Sequence, residues 1–556
     1  MSRQDYDVII VGTGAAGGLM ARQLAIAGVN VLSLEYGPEV AEDDLMSFEK
    51  YWQAIRRLGY AETERALHEP GPGSWKRSKY FVYKEDVNYT TAGSASWYWR
   101  RYRCVGGRSV FWNGVSPRFS PRDFRAGSED GFGPDWPLTY RDLEPYYDKV
   151  EDLIGVVGPL DLAHADWPRG HFMKPQPFRC GERILQKTVA RLGMPDLIYT
   201  HEPKAIITRP HRGRPSCHYC GECAEGCAVA AKYDSSRVLL PEAKASGHWT
   251  LRSNAVVAEI QVSPAAALAS GVRWVDRLTG KSYESRARVV VVAASTIATA
   301  RLLLNSKSRL FPKGIANNHE HVGKHLKDHI TCSASGFLPQ LRGLKPYADE
   351  GYTYGGYIPR FNRSYQKSLG YIRGFQTQSG SGKGIDFRAR GFGAALKRDI
   401  TSRYESFVGA ISFGERLDNP GNYVEIDPSG EVDRYGIPIV KIHSELWGDN
   451  ERKMFKDMQE KLGMIFRAAG AEDVHVSESP PNPGSSEHET GTCRMGTDPR
   501  ESVTNPFGQT HEVKNLFISD ASLFPQQTEK SPTLTLLALS MRNADYLTEE
   551  LRKGNL

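Results

Sequence analysis

Asp7-Val8-Ile9-Ile10-Val11-Gly12-Thr13-Gly14-Ala15-Ala16-Gly17-Gly18 stands almost at the start of the 556-residue chain and decides how the rest is read. The unbroken apolar stretch from Tyr6 to Val11 predicts a strand buried on both faces, as in a parallel sheet. Gly12, Gly14 and Gly17 have the G-x-G-x-x-G spacing of a dinucleotide-binding turn, and a helix is predicted from about Ala15 to Ala27. The next strand, Asn30 to Leu34, runs into Glu35, where a carboxylate can accept hydrogen bonds from a ribose diol. Taken alone, the glycines would also suit an ordinary turn in an α/β domain. The strand before them, the helix after them and Glu35 beyond decide for a dinucleotide.

In the middle of the chain, Cys217, Cys220, Cys223 and Cys227 give C-x2-C-x2-C-x3-C, the run that bacterial ferredoxins use to hold an iron–sulfur cluster. Structural zinc sites usually pair two short cysteine units across a longer loop, so three short steps suit a cluster better. Zinc and plain thiols remain the alternatives, and Ala228 stands where ferredoxins often place proline. A chain with a two-electron organic cofactor and a one-electron carrier is most simply an electron-transfer oxidoreductase.

The length exceeds the usual reach of one hydrophobic core, so two intergrown domains are expected. Apolar residues make up 40% and charged residues 24%, an ordinary soluble balance. The formal charge of +6 is mild for this length. It suits docking to an acidic partner protein and makes no case for nucleic acid. The longest apolar run, Val289 to Ala294, is far short of the roughly 20 residues of a membrane span. Met1 to Tyr6 leads straight into the first strand, which leaves no room for a signal peptide and by itself predicts a cytoplasmic protein. Cys104, Cys180, Cys332 and Cys493 follow no pairing pattern, which argues against a secreted disulfide framework.

Ala287 to Asn305 reads as a strand, a small-residue turn and a helix, a turn that lets a cofactor approach the backbone. Ser379-Gly380-Ser381-Gly382-Lys383-Gly384 imitates a phosphate loop, but Thr377 replaces its first glycine and Gly384 its Ser or Thr. A flexible surface loop is expected there. Trp97 to Arg103 mixes aromatic and basic residues. It reads as a buried strand with alternating packing, with a sugar-stacking surface as the second reading.

Further stretches carry a family resemblance. Val105-Gly106-Gly107-Arg108-Ser109-Val110-Phe111-Trp112-Asn113-Gly114 resembles the glycine-rich flavin loop of the glucose-methanol-choline (GMC) oxidoreductases. Ala293-Ala294-Ser295-Thr296 through Arg301-Leu302-Leu303 is similar to that family's second signature. His488-Glu489-Thr490-Gly491-Thr492-Cys493-Arg494-Met495-Gly496 matches its H-x-x-G-T-x-R-M-G block. Asn515 to Ala521 and Ser531-Pro532-Thr533-Leu534-Thr535 match its closing motif. These lie in family order over nearly the whole chain.

The resemblance implies an α/β, GMC-type fold, in which a Rossmann-like FAD-binding domain is interleaved with a sheet-based substrate domain. The first is expected at 1–40, 85–120, 205–330 and 484–556, the second at 121–204 and 331–483, with 41–84 a surface excursion. Implied FAD contacts are Gly12, Gly14, Ala15, Ala16, Gly17 and Glu35; Gly106, Gly107, Ser109 and Asn113; Val256, Val257 and Ala294; and Asp520, Ala521, Pro532 and Thr533. Phe111 stands where covalent pyranose oxidases carry a histidine, so the FAD is expected to be non-covalent. His488 is the expected base, since an imidazole takes a proton near neutral pH and returns it later. Ser531 fills a slot where the family usually has His or Asn. Its shorter hydroxyl still donates and accepts, either through a water or with help from Glu529 or Lys530.

Within the family, the cysteine run resembles the catalytic subunits of iron–sulfur sugar dehydrogenases. That implies oxidation of a secondary or anomeric sugar or glycoside hydroxyl by hydride transfer to FAD. Electrons would leave through a [3Fe-4S] or [4Fe-4S] cluster at the four cysteines to a cytochrome c-type or quinone partner. An oxidase using oxygen is the alternative, and a non-catalytic flavin- or zinc-binding subunit the third reading. Such dehydrogenases work in the periplasm, carried across folded by a small subunit with the export signal. The resemblance therefore implies a periplasmic location and that partner, against the cytoplasm predicted by the N-terminus alone.

Overall fold

The computed structural model describes residues 6–45, 80–81, 88–160, 164, 166–344, 355–382 and 391–556. Tyr6–Val11 lies inside a seven-stranded sheet. It pairs in parallel with Val31–Leu34 on one side and Ser282–Val292 on the other. Val8, Ile9 and Ile10 are fully buried, as their apolar run demands. Trp249–Arg252 extends one edge in parallel, while Leu268–Asp276 and Ala255–Ser263 extend the other as antiparallel strands. Leu516–Ile518, from the far end of the chain, also pairs in parallel with Ser282–Val292.

The register matters for function. Val11 stands beside Leu34 and Val292, and Ile518 also stands beside Val292. The turns that follow these four strands therefore emerge together at the carboxyl edge of the sheet, the usual place for a ligand in an open α/β sheet.

A second, six-stranded antiparallel sheet runs in the order Glu472–Val476, Ile330–Phe337, Phe407–Gly414, Phe375–Gly382, Gly356–Ile358 and Thr200–His201. Val408, Ala410 and Phe375 point to one face, into an apolar core with Leu185 and Val189 of helix Cys180–Leu192 and Met454 and Met458 of helix Asp449–Ala468. Gln376, Gln378 and Phe413 alternate to the opposite face. A small third sheet joins Tyr89–Ala92 to Val440–His443 and Tyr423–Ile426. The strands of the first sheet come from stretches expected for the cofactor domain and those of the second from stretches expected for the substrate domain, Ile330 apart. The third sheet draws on both.

Two expectations are corrected. Ser379 to Gly382 is not a surface loop but the end of the buried strand Phe375–Gly382; Lys383 and Gly384 lie outside the described residues. The small residues there serve packing, since a Cβ on Gly181 would lie 2.4 Å from the Ser381 Cβ. Trp97 to Arg103 does bury Trp97, Trp99 and Arg101 alternately, but it is extended chain that joins no named strand. At the described ends of the stretch 41–84, Ala41 and Glu42 are exposed while Tyr80 and Phe81 are buried. Tyr80 stacks on Phe111 at 5.7 Å, and Leu45 packs beside them, because the Phe111 ring needs cover. Residues 46–79 and 82–87 lie outside the described residues.

Gly17 tests the fit of helix Ala15–Ile26 on the sheet, since a Cβ there would sit 2.1 Å from the Gly12 carbonyl oxygen. Gly17→Ala should lower stability by about 1–3 kcal/mol, the usual cost of overpacking, read as a fall in Tm with weaker cofactor retention. An unchanged Tm would show that the turn can widen.

Candidate active site

A cavity of about 620 Å³ lies between the carboxyl edge of the first sheet and the free face of the second. Gly12, Gly14, Ala15, Ala16 and Glu35 line it from the first two turns, and Gly107, Ser109 and Asn113 from the second glycine loop. Val256, Val257, Ala294, Asp520, Ala521, Pro532 and Thr533 complete the predicted cofactor contacts, with His488 and Ser531 facing the same space. Of the predicted cofactor residues, Gly17 and Gly106 serve packing: a Cβ on Gly106 would meet Val110 at 2.8 Å.

The glycines shape this space. Gly12 has φ +97°, and a Cβ there would strike the Ala293 carbonyl at 2.5 Å. A Cβ on Gly14 would meet no protein atom within 4 Å, so bare backbone at the helix N-terminus faces the cavity. That cradle fits a pyrophosphate, held by N–H groups and the helix dipole. Gly107 closes on it from the other loop, its Cβ position 3.3 Å from the Gly14 Cα.

Thr13 explains how Glu35 is placed. Its N–H and hydroxyl donate to Glu35 Oε2 at 2.9 and 2.7 Å, and Gly37 N–H donates to Oε1 at 3.0 Å. The same hydroxyl accepts from Gly106 N–H at 3.2 Å, tying the two glycine loops together. Burial raises the Glu35 pKa, and these donors pull it back. Asp520 plays a matching part. It accepts from Ser295 N–H at 3.1 Å, from the Thr299 hydroxyl and from Ser522, and it holds Ser295 at φ +79°, a strained value for a serine.

His488 is fixed from three sides. The Asp328 carboxylate accepts from the backbone N–H groups of Ser486 and His488, each at 3.0 Å, and from the Ser486 hydroxyl. Arg108 of the second glycine loop forks onto Glu489 at 2.6 and 2.9 Å and donates to the Glu487 carbonyl at 2.9 Å. The ring packs beside Phe413 at 5.5 Å, and its Nδ1 lies 2.9 Å from Nδ1 of His329. Burial lowers the His488 pKa well below the ordinary imidazole value, with His329 and Arg108 adding to the effect.

Of Glu529, Lys530 and Ser531, Ser531 lines the cavity. Lys530 is engaged elsewhere, with Asp123 at 3.0 Å and Glu529 at 2.5 Å. Sequence reading missed Thr13, Arg108 as a clamp, Asp328, His329, Gln378 and Phe413. The only local signal was Lys327-Asp328-His329, three ionisable residues entering a mostly buried strand.

The chain matches known proteins over nearly its whole length. The pattern described as GMC oxidoreductase matches residues 6–331 in its N-terminal part and 418–540 in its C-terminal part. The chain belongs to the GMC oxidoreductase family. It is 29% identical to a 2-methyl-1,2-propanediol dehydrogenase of Mycolicibacterium austroafricanum, covering 98% of this chain and 96% of the relative. It is 28% identical to a fructose dehydrogenase large subunit of Gluconobacter japonicus, covering 99% and 98%. In fold it is similar to the crystal structure of pyridoxine 4-oxidase from Mesorbium loti, with TM-score 0.62 and 17% identity over 98% of this chain and 99% of that one. As a GMC oxidoreductase it is a flavoprotein acting on CH–OH donors, and its cavity residues fit FAD.

This GMC oxidoreductase also carries the cysteine loop. Cys217, Cys223 and Cys227 pack into one apolar pocket with Val157, Met173, Ile206, Ile207 and Ala231. Tyr219 N–H donates to the Cys217 sulfur at 3.3 Å and Lys232 N–H to the Cys227 sulfur at 3.4 Å. Among the described residues no three His, Cys, Asp or Glu side chains are gathered at metal-binding distance. The donor chemistry, thiols with amide N–H groups aimed at sulfur, suits a cluster. The loop is fastened to the second glycine loop. The buried Lys232 ammonium donates to the carbonyls of Val110, Trp112 and Cys223 at 2.8, 2.9 and 2.8 Å, and Ala224 of the cysteine loop reaches the cavity.

Arg108→Met should leave Glu489 as an uncompensated buried carboxylate, costing about 3–5 kcal/mol. Chemical denaturation measures this, and turnover should fall with it as His488 loses its mooring. Arg108→Lys should recover less than half the loss, because an ammonium lacks the fork.

Proposed function

We propose that this GMC oxidoreductase is a dehydrogenase that oxidises a hydroxyl of a sugar, polyol or glycoside. The observation that carries the substrate class is the amide of Gln378 beside Phe413 on the roof of the cavity. Tyr357 stands opposite Gln378, and Gln376 opposite Phe413, on the same face of the second sheet. Gln378 and Phe413 line the cavity, and Phe413 touches the His488 ring. Both amide atoms of Gln376 and the Tyr357 hydroxyl are buried without a hydrogen-bond partner among the described residues. The Gln378 amide at the cavity wall can donate to and accept from a hydroxyl-rich substrate, which offers partners that an aliphatic alcohol lacks.

When bound, FAD supplies the acceptor for the hydride that leaves the carbinol carbon. His488 takes the hydroxyl proton as the carbonyl forms. Ser531 holds the reacting oxygen, and Phe413 keeps water from the ring. Arg108 and Asp328 hold the His488 backbone in place. The four cysteines would hold an iron–sulfur cluster, which supplies one-electron transfer to a cytochrome c-type or quinone partner. The names of the relatives above support a dehydrogenase, and the Lys232 clamp between the cysteine and glycine loops supports an electron outlet beside the flavin site. We further propose export to the periplasm with a small partner subunit. The similarity to a 6'''-hydroxyparomomycin C oxidase of Streptomyces lividus, 28% identical, favours the second reading, an oxidase.

A dye-linked assay over D-glucose, D-fructose, D-gluconate, D-sorbitol, a methyl glucoside and 2-methyl-1,2-propanediol tests this. Turnover with a polyol or sugar and little peroxide is expected; stoichiometric peroxide decides for the oxidase. His488→Ala should lower turnover about 10²–10⁴-fold with FAD still bound. Because its pKa is lowered, His488 keeps its lone pair as pH falls, so the acid limb of kcat/KM should lie below pH 6.5. Cys223→Ser should leave substrate-driven flavin bleaching intact and stop transfer to cytochrome c.

A further inference from the structure

His329 is fully enclosed, and both of its ring nitrogens are engaged. Nε2 lies 2.6 Å from the Thr528 carbonyl oxygen, and Nδ1 lies 2.9 Å from Nδ1 of His488. A carbonyl only accepts, so His329 Nε2 carries the hydrogen. Burial pulls the His329 pKa down to about 4, so near neutral pH the ring holds one proton and its Nδ1 is a lone pair. The Nδ1–Nδ1 contact is then a hydrogen bond only if His488 supplies the hydrogen. His488, neutral as well, is left with its single lone pair on Nε2.

We propose that His329 is a positioning residue that selects the Nδ1–H form of His488, so that the base presents Nε2 to the substrate hydroxyl. This rests on His488 being the base. A free neutral imidazole prefers its hydrogen on Nε2, which would leave no acceptor for the hydroxyl proton. The tautomer of one histidine is set by the hydrogen bond its other nitrogen makes. Here that bond runs through a second histidine to a backbone carbonyl, where hydrolases commonly use a carboxylate. The arrangement also serves the charged state. Once Nε2 has taken the proton, the Nδ1–H bond to His329 becomes charge-assisted and stronger. Glu529 lies close enough to His329 to favour positive charge there, while Arg108 opposes it at His488.

The test has a readout that needs no substrate. Holoenzyme labelled with ¹⁵N-histidine, with the His488 signals assigned by their loss in His488→Ala, should show His488 protonated at Nδ1 and bare at Nε2. Protonation at Nε2 would overturn the proposal. In single-turnover flavin bleaching with the fastest substrate of the panel above, His329→Leu should slow reduction about 10²–10³-fold, the scale of a general-base contribution, with the half-saturating concentration changed less than about threefold. His329→Asn, which keeps an acceptor near the Nδ1 position, should return to within about tenfold of the parent. Equal loss in the Leu and Asn variants, or loss confined to KM, would make His329 a packing residue only. If no panel member reacts, the substrate reading fails, while the ¹⁵N measurement still decides the tautomer.

Discussion

The buried fork between Arg108 and Glu489 is the joint on which the site depends. It links the second glycine loop, which borders the cofactor space, to the segment that carries His488, almost four hundred positions later in the chain. Neither charge is free to leave: Glu489 is 3% exposed, and Arg108 donates to two backbone carbonyls as well as to the carboxylate. A pair taken out of water is tolerated only when geometry is good and the remaining donors are satisfied. Here the carboxylate and the two carbonyls use both terminal nitrogens of the guanidinium. Asp328 adds tension nearby, since burial and the neighbouring Glu489 raise its pKa, yet it is the acceptor that fixes the His488 backbone. His488 is positioned by electrostatics that span almost the whole sequence.

That explains what could be read from the chain and what could not. The fingerprint was legible because strand, turn and helix are contiguous, and each residue's task is local: Gly12 must take φ +97°, and Gly14 must stay bare. The family blocks around His488 and Ser531 were legible for the same reason. Arg108, Asp328 and His329 were not, because their partners come from distant segments that meet only at the carboxyl edge. Ser379 to Gly382 misled in the opposite direction. A serine–glycine alternation looks like a flexible loop until Gly181 is seen to press against Ser381.

Thr13 shows how compactly the first loop is organised. It occupies a variable position of the fingerprint, yet its backbone and hydroxyl together organise Glu35 and Gly106. Loss of that hydroxyl would leave the Glu35 carboxylate and the second loop to settle independently. The motif's fixed positions supply room, and a variable one supplies alignment.

Lys232 does for the cysteine loop what Arg108 does for His488. An ammonium has three hydrogens, and all three find carbonyls, two from the second glycine loop and one from Cys223. With donors and acceptors matched, the cost of burying the lysine is offset by its hydrogen bonds. The cysteine loop therefore cannot shift against the glycine loop without breaking at least one buried charge-assisted bond. Phe111, lying between Val110 and Trp112, is held by the same clamp and covered by Tyr80. Arg108, Phe111 and the Val110 and Trp112 carbonyls that hold Lys232 all belong to one short segment, so His488, cofactor space and cysteine loop are referred to a single piece of backbone.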